Sequence, residues 1–211
     1  MQTDRALDWL VAPILKDLWH GIRRTVTRPS VRRRLEGHTR LHLACGNNVL
    51  EGWANIDLRN STKVIGWNLT DPLPVRSGTV RLVFCEHFIE HIAPKEATSL
   101  LAECRRSLGV DGVLRLSTPN LRKVISEYSS GRIDEWTDVG WTPDTPCQMV
   151  NGAFRLWEHK FVYDVEELKR ILVEAGFHKV TEVAWHESTT AALRELECRP
   201  FHGEIILEAS K

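Results

Sequence analysis

Histidines stand out among residues that could do chemistry. His87-Phe88-Ile89-Glu90-His91 sets two imidazoles around a carboxylate, and His159 follows later in the chain. An imidazole changes charge near neutral pH, so it can take a proton from an alcohol or phenol as a new bond forms. His87 and His159 are the candidate general bases, and His91 is expected to bond within its own helix or loop. The same run fits H-x-x-E-H, an inverted zinc-protease signature. A zinc site of that kind wants both histidines on one helix face and a third ligand further on. Here the run directly follows an apolar stretch and Pro94 comes three residues later, which leaves little helix. No metal site is expected, and metal-dependent proteolysis is set aside.

A second group of residues could hold a nucleoside. Leu41-His42-Leu43-Ala44-Cys45-Gly46-Asn47 is an apolar stretch running into small residues, and Asp57 lies eleven residues beyond Gly46. Small residues let the backbone come close to a ligand. A carboxylate at the end of the next strand can accept hydrogen bonds from both hydroxyls of a ribose, although strand-end aspartates also serve as turn residues. A dinucleotide would want G-x-G-x-x-G opening a helix. The chain has Ala44-Cys45-Gly46-Asn47-Asn48-Val49 instead, without the third glycine, and no G-x-x-x-x-G-K-[ST] anywhere. Nothing builds a phosphate cradle, so a cofactor without phosphates fits better.

The elements that must position these residues read as alternating strands and helices. Strands are predicted over Leu41–Cys45, Trp53–Leu58, Val64–Leu69, Arg81–Cys85, Val113–Ser117, Val180–Trp185 and Glu204–Glu208. Pro94 suits the first turn of a helix with Ala97, Leu100, Leu101, Cys104 and Leu108 as its stripe and Gly109 near its end. Asp164 opens another, with Glu167 as its capping partner. Residues 121–160 have weak periodicity and several tryptophans, and read as a long excursion. Trp136, Trp141 and Trp157 could wall a substrate site or give the excursion a core of its own, and Asn120 could touch substrate. Residues 1–22 are periodic, with Pro13 inside, and Arg23, Arg24, Arg28, Arg32, Arg33 and Arg34 follow in a looser stretch. The pattern predicts a Rossmann-like α/β fold. It would be a seven-stranded, mostly parallel sheet covered on both faces, over residues 41–211, with a helical basic arm at 1–40. Ligands then bind beyond the carboxyl ends of the strands.

Composition bounds the function. The chain has 211 residues, of which 42% are hydrophobic and 27% charged, which suits a globular domain rather than a disordered chain. Lys+Arg and Asp+Glu both number 28, so net charge gives no argument for nucleic acid. Residues 1–40 hold nine Lys/Arg against four Asp/Glu, enough for an anionic partner or a membrane surface, or merely a solvated linker. Five cysteines without a CxxC pair suit a reducing, cytoplasmic setting.

The residues also carry a resemblance. Leu43-Ala44-Cys45-Gly46-Asn47-Asn48 with Gly52-Trp53-Ala54-Asn55-Ile56-Asp57 resembles the first two motifs of class I S-adenosylmethionine-dependent methyltransferases, in the small group with a G-W-x-N-x-D run. Pro72-Leu73-Pro74 with Val83 through His91 is similar to that group's fourth-strand region. Gly112 through Asn120 and His159 through Phe177 are similar to its fifth strand and late helix. Ala44 replaces the usual first glycine, Asn68 an aspartate that often faces the adenine, and Arg81 the aspartate that usually opens the fourth strand. The first crossover is short, with room for one helical turn. The resemblance implies S-adenosylmethionine as cofactor. The backbone of Ala44, Cys45, Gly46 and Asn47 would pack on its methionine part, and Asp57 would hold its ribose. Asn68 and Leu69 would border its adenine, and Cys85 and Glu86 would lie along it. It further implies methyl transfer to a small-molecule or glycan-like acceptor. The alternative is a non-catalytic binder of the same cofactor, with the acceptor site filled.

Overall fold

The computed structural model describes residues 26–133, 136 and 140–211. The expected helix at 1–22, Pro13, Arg23 and Arg24 lie outside the described residues. One seven-stranded sheet runs in the order β3-β2-β1-β4-β5-β7-β6. Its strands are β1 (Arg40–Leu43), β2 (Ala54–Asp57), β3 (Ile65–Gly66), β4 (Val80–Glu86), β5 (Leu108–Thr118), β6 (Lys179–Glu182) and β7 (Ile205–Ser210). β1 to β5 pair in parallel and β7 runs antiparallel between β5 and β6. This is the Rossmann-like sheet that the strand–helix alternation predicts.

The period-two pattern of the strands builds two faces. Leu41 and Leu43 of β1 and Val83 and Cys85 of β4 point into the main core. Helices cover it: α1 (residues 26–35), α2 (Pro94–Ser107) and α5 (Val165–Glu174). Pro94 opens α2, and the Glu96 carboxylate accepts the Ala93 N–H at 2.8 Å. Asp164 caps α5 by accepting the Glu167 N–H at 2.8 Å. The stretch holding Arg28, Arg32, Arg33 and Arg34 is thus helical rather than loose. Its Val31 and Leu35 bury in the main core, and Arg34 donates to Asn60 Oδ1 at 2.6 Å. Arg28, Arg32 and Arg33 stay exposed.

On the opposite face Leu82 and Phe84 pack with Trp53 and Leu193. Here the cover is a short 3-10 turn, Ala191–Leu193, rather than a long helix. Arg115 is fully buried on β5, bonded to Glu197 at 2.6 Å, Glu208 at 2.8 Å and the Glu187 carbonyl at 2.7 Å. His42 is buried beside Phe84, and its Nδ1–H donates to Asn55 Oδ1 at 3.1 Å. Burial pushes its imidazole down to about 4.

Two further expectations change. Residues 121–160 hold two regular helices, α3 (Leu121–Ser130) and α4 (Pro146–Arg155). They build a small core of Val124, Trp136, Met149 and Ala153. Asn120 caps α3 by accepting the Arg122 N–H at 3.0 Å, and Thr145 caps α4 at 3.2 Å from the Gln148 N–H. Turns alone link β1 to β2, without the helical turn expected there. Among the described residues no helix is long and apolar enough to cross a membrane.

Removing one member of a buried ion group leaves its partners uncompensated. Arg115→Met is therefore expected to cost about 3–5 kcal/mol in urea denaturation, against under about 1 kcal/mol for a dispensable group. His42 gives a pH signature. Between about pH 4 and 6.5 the unfolded chain binds a proton that the folded chain refuses, so this stabilising contribution falls as pH falls. The stability difference between wild type and His42→Phe is expected to shift by about 2 kcal/mol in the variant's favour from about pH 7 to about pH 5. An unchanged difference would show that His42 protonates freely in the folded chain.

Candidate functional site

The sheet order reverses between β1 and β4, so a ligand is expected beyond the carboxyl ends of these strands. β1 ends because Ala44 and Gly46 take left-handed backbone, with φ of 52° and 51°. Glycine adopts that conformation freely, whereas at Ala44 it costs roughly 1 kcal/mol. The Gly46 N–H donates to Asp57 Oδ2 at 2.9 Å, tying the end of β1 to the end of β2. Asp57 Oδ1 accepts the Arg59 N–H at 3.4 Å. A Cβ placed on Gly46 would meet nothing within 4 Å, so the bend opens to solvent. Arg59 spans it, with its guanidinium on the Gly46 carbonyl and on Asn47 Oδ1. The Cys45 side chain is buried, leaving its backbone at the bend.

Beyond β3 lies a hollow of about 230 Å³ bordered by Leu58, Gly66, Trp67, Asn68 and Asp71, with Arg34 of α1 opposite. Asp57 pairs with Gly66 in the sheet, so this hollow adjoins the Asp57 end. Asn68 stands at its edge, and its Oδ1 accepts from the Thr70 N–H and hydroxyl at 3.1 and 3.0 Å. Leu69 does not border it, being buried in the main core. Cys85 also faces that core, on the same side of β4 as Val83, so its side chain does not lie along the cleft. Glu86 is engaged otherwise than expected. Its carboxylate accepts the Cys198 N–H at 3.0 Å and the Arg199 N–H at 3.1 Å. Together with the Asn48 amide on the Leu196 carbonyl, it straps residues 196–199 across the ends of β1 and β4.

Past this strap, at the ends of β4 and β5, lies a cavity of about 660 Å³. His87, His91, Asn120, Trp136, Trp157 and His159 are among its walls. The structure thus unites both candidate bases with two of the three tryptophans. Trp136 belongs equally to the small core of α3 and α4, and its indole N–H donates to Glu127 at 2.7 Å. Trp141 packs edge-on against Trp136 and Trp157, with ring centroids 5.4 and 5.9 Å away.

His87 turns off β4 with φ 48° and its N–H donates to the Ser117 carbonyl at 3.0 Å. Its Nδ1 is 3.5 Å from Glu90 Oε1 and its Nε2 is 3.7 Å from Glu204 Oε1. Two carboxylates so close would hold the ring charged, but burial and the nearby Arg199 push its imidazole down to about 3. Burial prevails, because it also weakens both acids, pushing Glu90 up to about 7 and raising Glu204. Glu90 is fully buried on a single 3-10 turn, Ile89–His91, and its Oε2 accepts the Thr118 hydroxyl at 3.0 Å. His159 Nδ1 bonds the Ala153 carbonyl at 2.8 Å and its ring lies edge-on to His91, centroids 5.0 Å apart.

Glu204 and Arg199 were not foreseen. Both come from the segment between β6 and β7, which carries no motif. Glu90 stood in the H-x-x-E-H run but was not assigned a role.

No family model and no curated protein matches the chain. Solved structures do. An S-adenosylmethionine-dependent methyltransferase from Archaeoglobus fulgidus aligns with a TM-score of 0.50 at 18% identity, over 89% of this chain and 94% of its own. Another, from Mesorhizobium loti, aligns with a TM-score of 0.50 at 16% identity, over 88% of this chain and 97% of its own. At these identities the likeness is one of fold: the chain has the seven-stranded Rossmann-like fold of class I S-adenosylmethionine-dependent methyltransferases.

Proposed function

We propose that the protein transfers a methyl group from S-adenosylmethionine to a small-molecule or glycan-like acceptor bound in the 660 Å³ cavity. The observation that carries this reading is the Gly46–Asp57 clasp at the strand-order switch, with an open cavity on the other side of β4. The residues present fit the cofactor. Gly46 leaves open space above the bend, Asp57 Oδ1 retains accepting capacity for ribose hydroxyls, and the hollow beside Asn68 offers room for a base.

When bound, S-adenosylmethionine supplies an electrophilic methyl group whose old bond's electron pair returns to sulfur as the acceptor's pair forms the new one. The chain's own task is alignment, exclusion of water and handling of one proton. The acceptor sits in a cavity within the usual ~300–1,000 Å³ of small-ligand sites. Trp136 and Trp157 offer apolar faces, and Asn120, Glu204 and the histidines offer hydrogen bonds. That mixture suits a ring bearing hydroxyls. His87 lies nearest the switch point and is the candidate to take the acceptor's proton: burial keeps its ring neutral, and Glu90 and Glu204, 3.5 and 3.7 Å away, would face the imidazolium formed once substrate has changed that environment. His159 is held on Ala153 and is the weaker candidate for that role. The open acceptor space favours this reading over a non-catalytic binder, in which that space would be filled.

Titration calorimetry is expected to show binding of S-adenosylmethionine and of its demethylated product. Asp57→Ala should weaken it by about 1.5–3 kcal/mol in a folded variant. Unchanged affinity would remove Asp57 from the site. With labelled cofactor and a panel of sugars and phenols, methyl transfer is expected. His87→Gln should lower turnover by about 10²–10⁴-fold while cofactor affinity holds. Full turnover in that variant would exclude His87 as the base.

A further inference from the structure

In the scheme above Glu90 helps His87 and His159 is the weaker candidate base, while His91 has no step. We propose that these three residues bind a divalent transition-metal ion, of the zinc, cobalt or manganese kind, in the wall of the acceptor cavity.

Each offers one ligand atom, and these atoms lie within 4.8 Å of one another. Glu90 supplies an independent sign. It is 0% exposed, and its Oε1 has no hydrogen-bond donor. His87 Nδ1 stands 3.5 Å from it and His91 Nε2 3.8 Å. A buried carboxylate oxygen without a donor is costly, and a cation between it and the imidazoles removes the cost.

The surroundings hold the ligands as metal ligands are usually held. His159 Nδ1–H donates to the Ala153 carbonyl at 2.8 Å, which leaves the Nε2 lone pair free to bind. The His91 ring faces the backbone of Trp157 and Glu158. Both of these residues are left-handed, with φ of 58° and 63°, a strain that clusters at functional sites. The Glu90 carbonyl accepts the Lys160 and Phe161 N–H groups at 2.7 and 3.2 Å, which pins the segment bearing His159 to the turn bearing Glu90 and His91.

The donor set selects the ion. Two imidazoles and a carboxylate suit zinc and its first-row neighbours, whereas calcium and magnesium prefer oxygen throughout. Ligand atoms around tetrahedral zinc stand about 3.4 Å apart, so the cluster closes on an ion by drawing in roughly an ångström. Arg199 opposes the ion, and Glu204 and Glu158 on the same wall offset it. His91 and His159 border the cavity, so the ion keeps a position open toward it. There it would take an oxygen of the acceptor, which makes the acceptor a hydroxyl or oxyanion compound. That last step rests on the methyl-transfer reading, whereas the site itself does not.

The test uses the full chain stripped with chelator, then titrated with zinc by calorimetry and with cobalt by visible absorption. The expected result is one ion per chain, with cobalt bands of nitrogen and oxygen ligation and no sulfur-to-cobalt charge transfer from the exposed Cys147 or Cys198. Glu90→Gln, His91→Gln and His159→Gln should each weaken binding at least about tenfold, and exposed His38→Gln should not. Should Glu90→Gln fail to fold, the two half-exposed histidines carry the test. Asp57→Ala should keep the ion while losing cofactor, which separates failure of this site from failure of the methyl-transfer reading. No binding, a sulfur-type spectrum, or undiminished affinity in the histidine variants would overturn the proposal.

Discussion

One hydrogen bond organises the candidate site: the Gly46 N–H on Asp57 Oδ2. Two parallel strands end there, and parallel strand ends leave backbone groups without partners. The aspartate satisfies one of them and stays at the edge with its other oxygen lightly engaged. The left-handed bend at Ala44 and Gly46 is what aims that N–H at the carboxylate. Cys45 adds the backing, since its N–H still donates to Ile56 at 3.1 Å after β1 has ended. Bend, acid and open space therefore come as one unit, set at the place where the strand order reverses.

The opposite side of the switch is organised by buried charge. Glu86 spends its carboxylate on backbone N–H groups of the 196–199 strap, and Glu90 stands behind His87 and His91. A fully buried acid is expensive unless its oxygens are used. Glu86 is satisfied by the chain itself, whereas Glu90 is half satisfied. This difference separates a structural carboxylate at the end of β4 from a functional candidate four residues on, in the turn that follows.

Much of the scaffold was legible because its signals are local and strong. The apolar run of β4, Pro94 at the start of α2 and Asp164 before α5 all stand where the sequence placed them. Helices α3 and α4 were missed because each buries only a narrow stripe in a small core of their own. In α3, Val124 and Glu127 are its buried residues, and serines fill the rest of its later turns. The short β3 reflects its edge position, where the Asn60 side chain accepts the Gly66 N–H at 3.0 Å. The residue types and spacing singled out His87 and His159, which line the cavity, and Asp57, which clasps the Gly46 bend. The Cys85 side chain faces the core, as strict alternation from Val83 requires, so only its backbone is left at the end of the strand. Glu204, Arg199 and the strap could not be seen, because only folding brings the segment between β6 and β7 to the ends of β1 and β4.

The central claim is that the Asp57 edge holds a nucleoside and the cavity beyond β4 receives its reactive end. A crystal structure with S-adenosylhomocysteine tests it most directly. The ribose hydroxyls are expected on the Asp57 carboxylate, with the sulfur facing the cavity bordered by His87. A nucleoside bound elsewhere, or a clasp that stays closed under Arg59 with the cleft empty at saturating ligand, would contradict it.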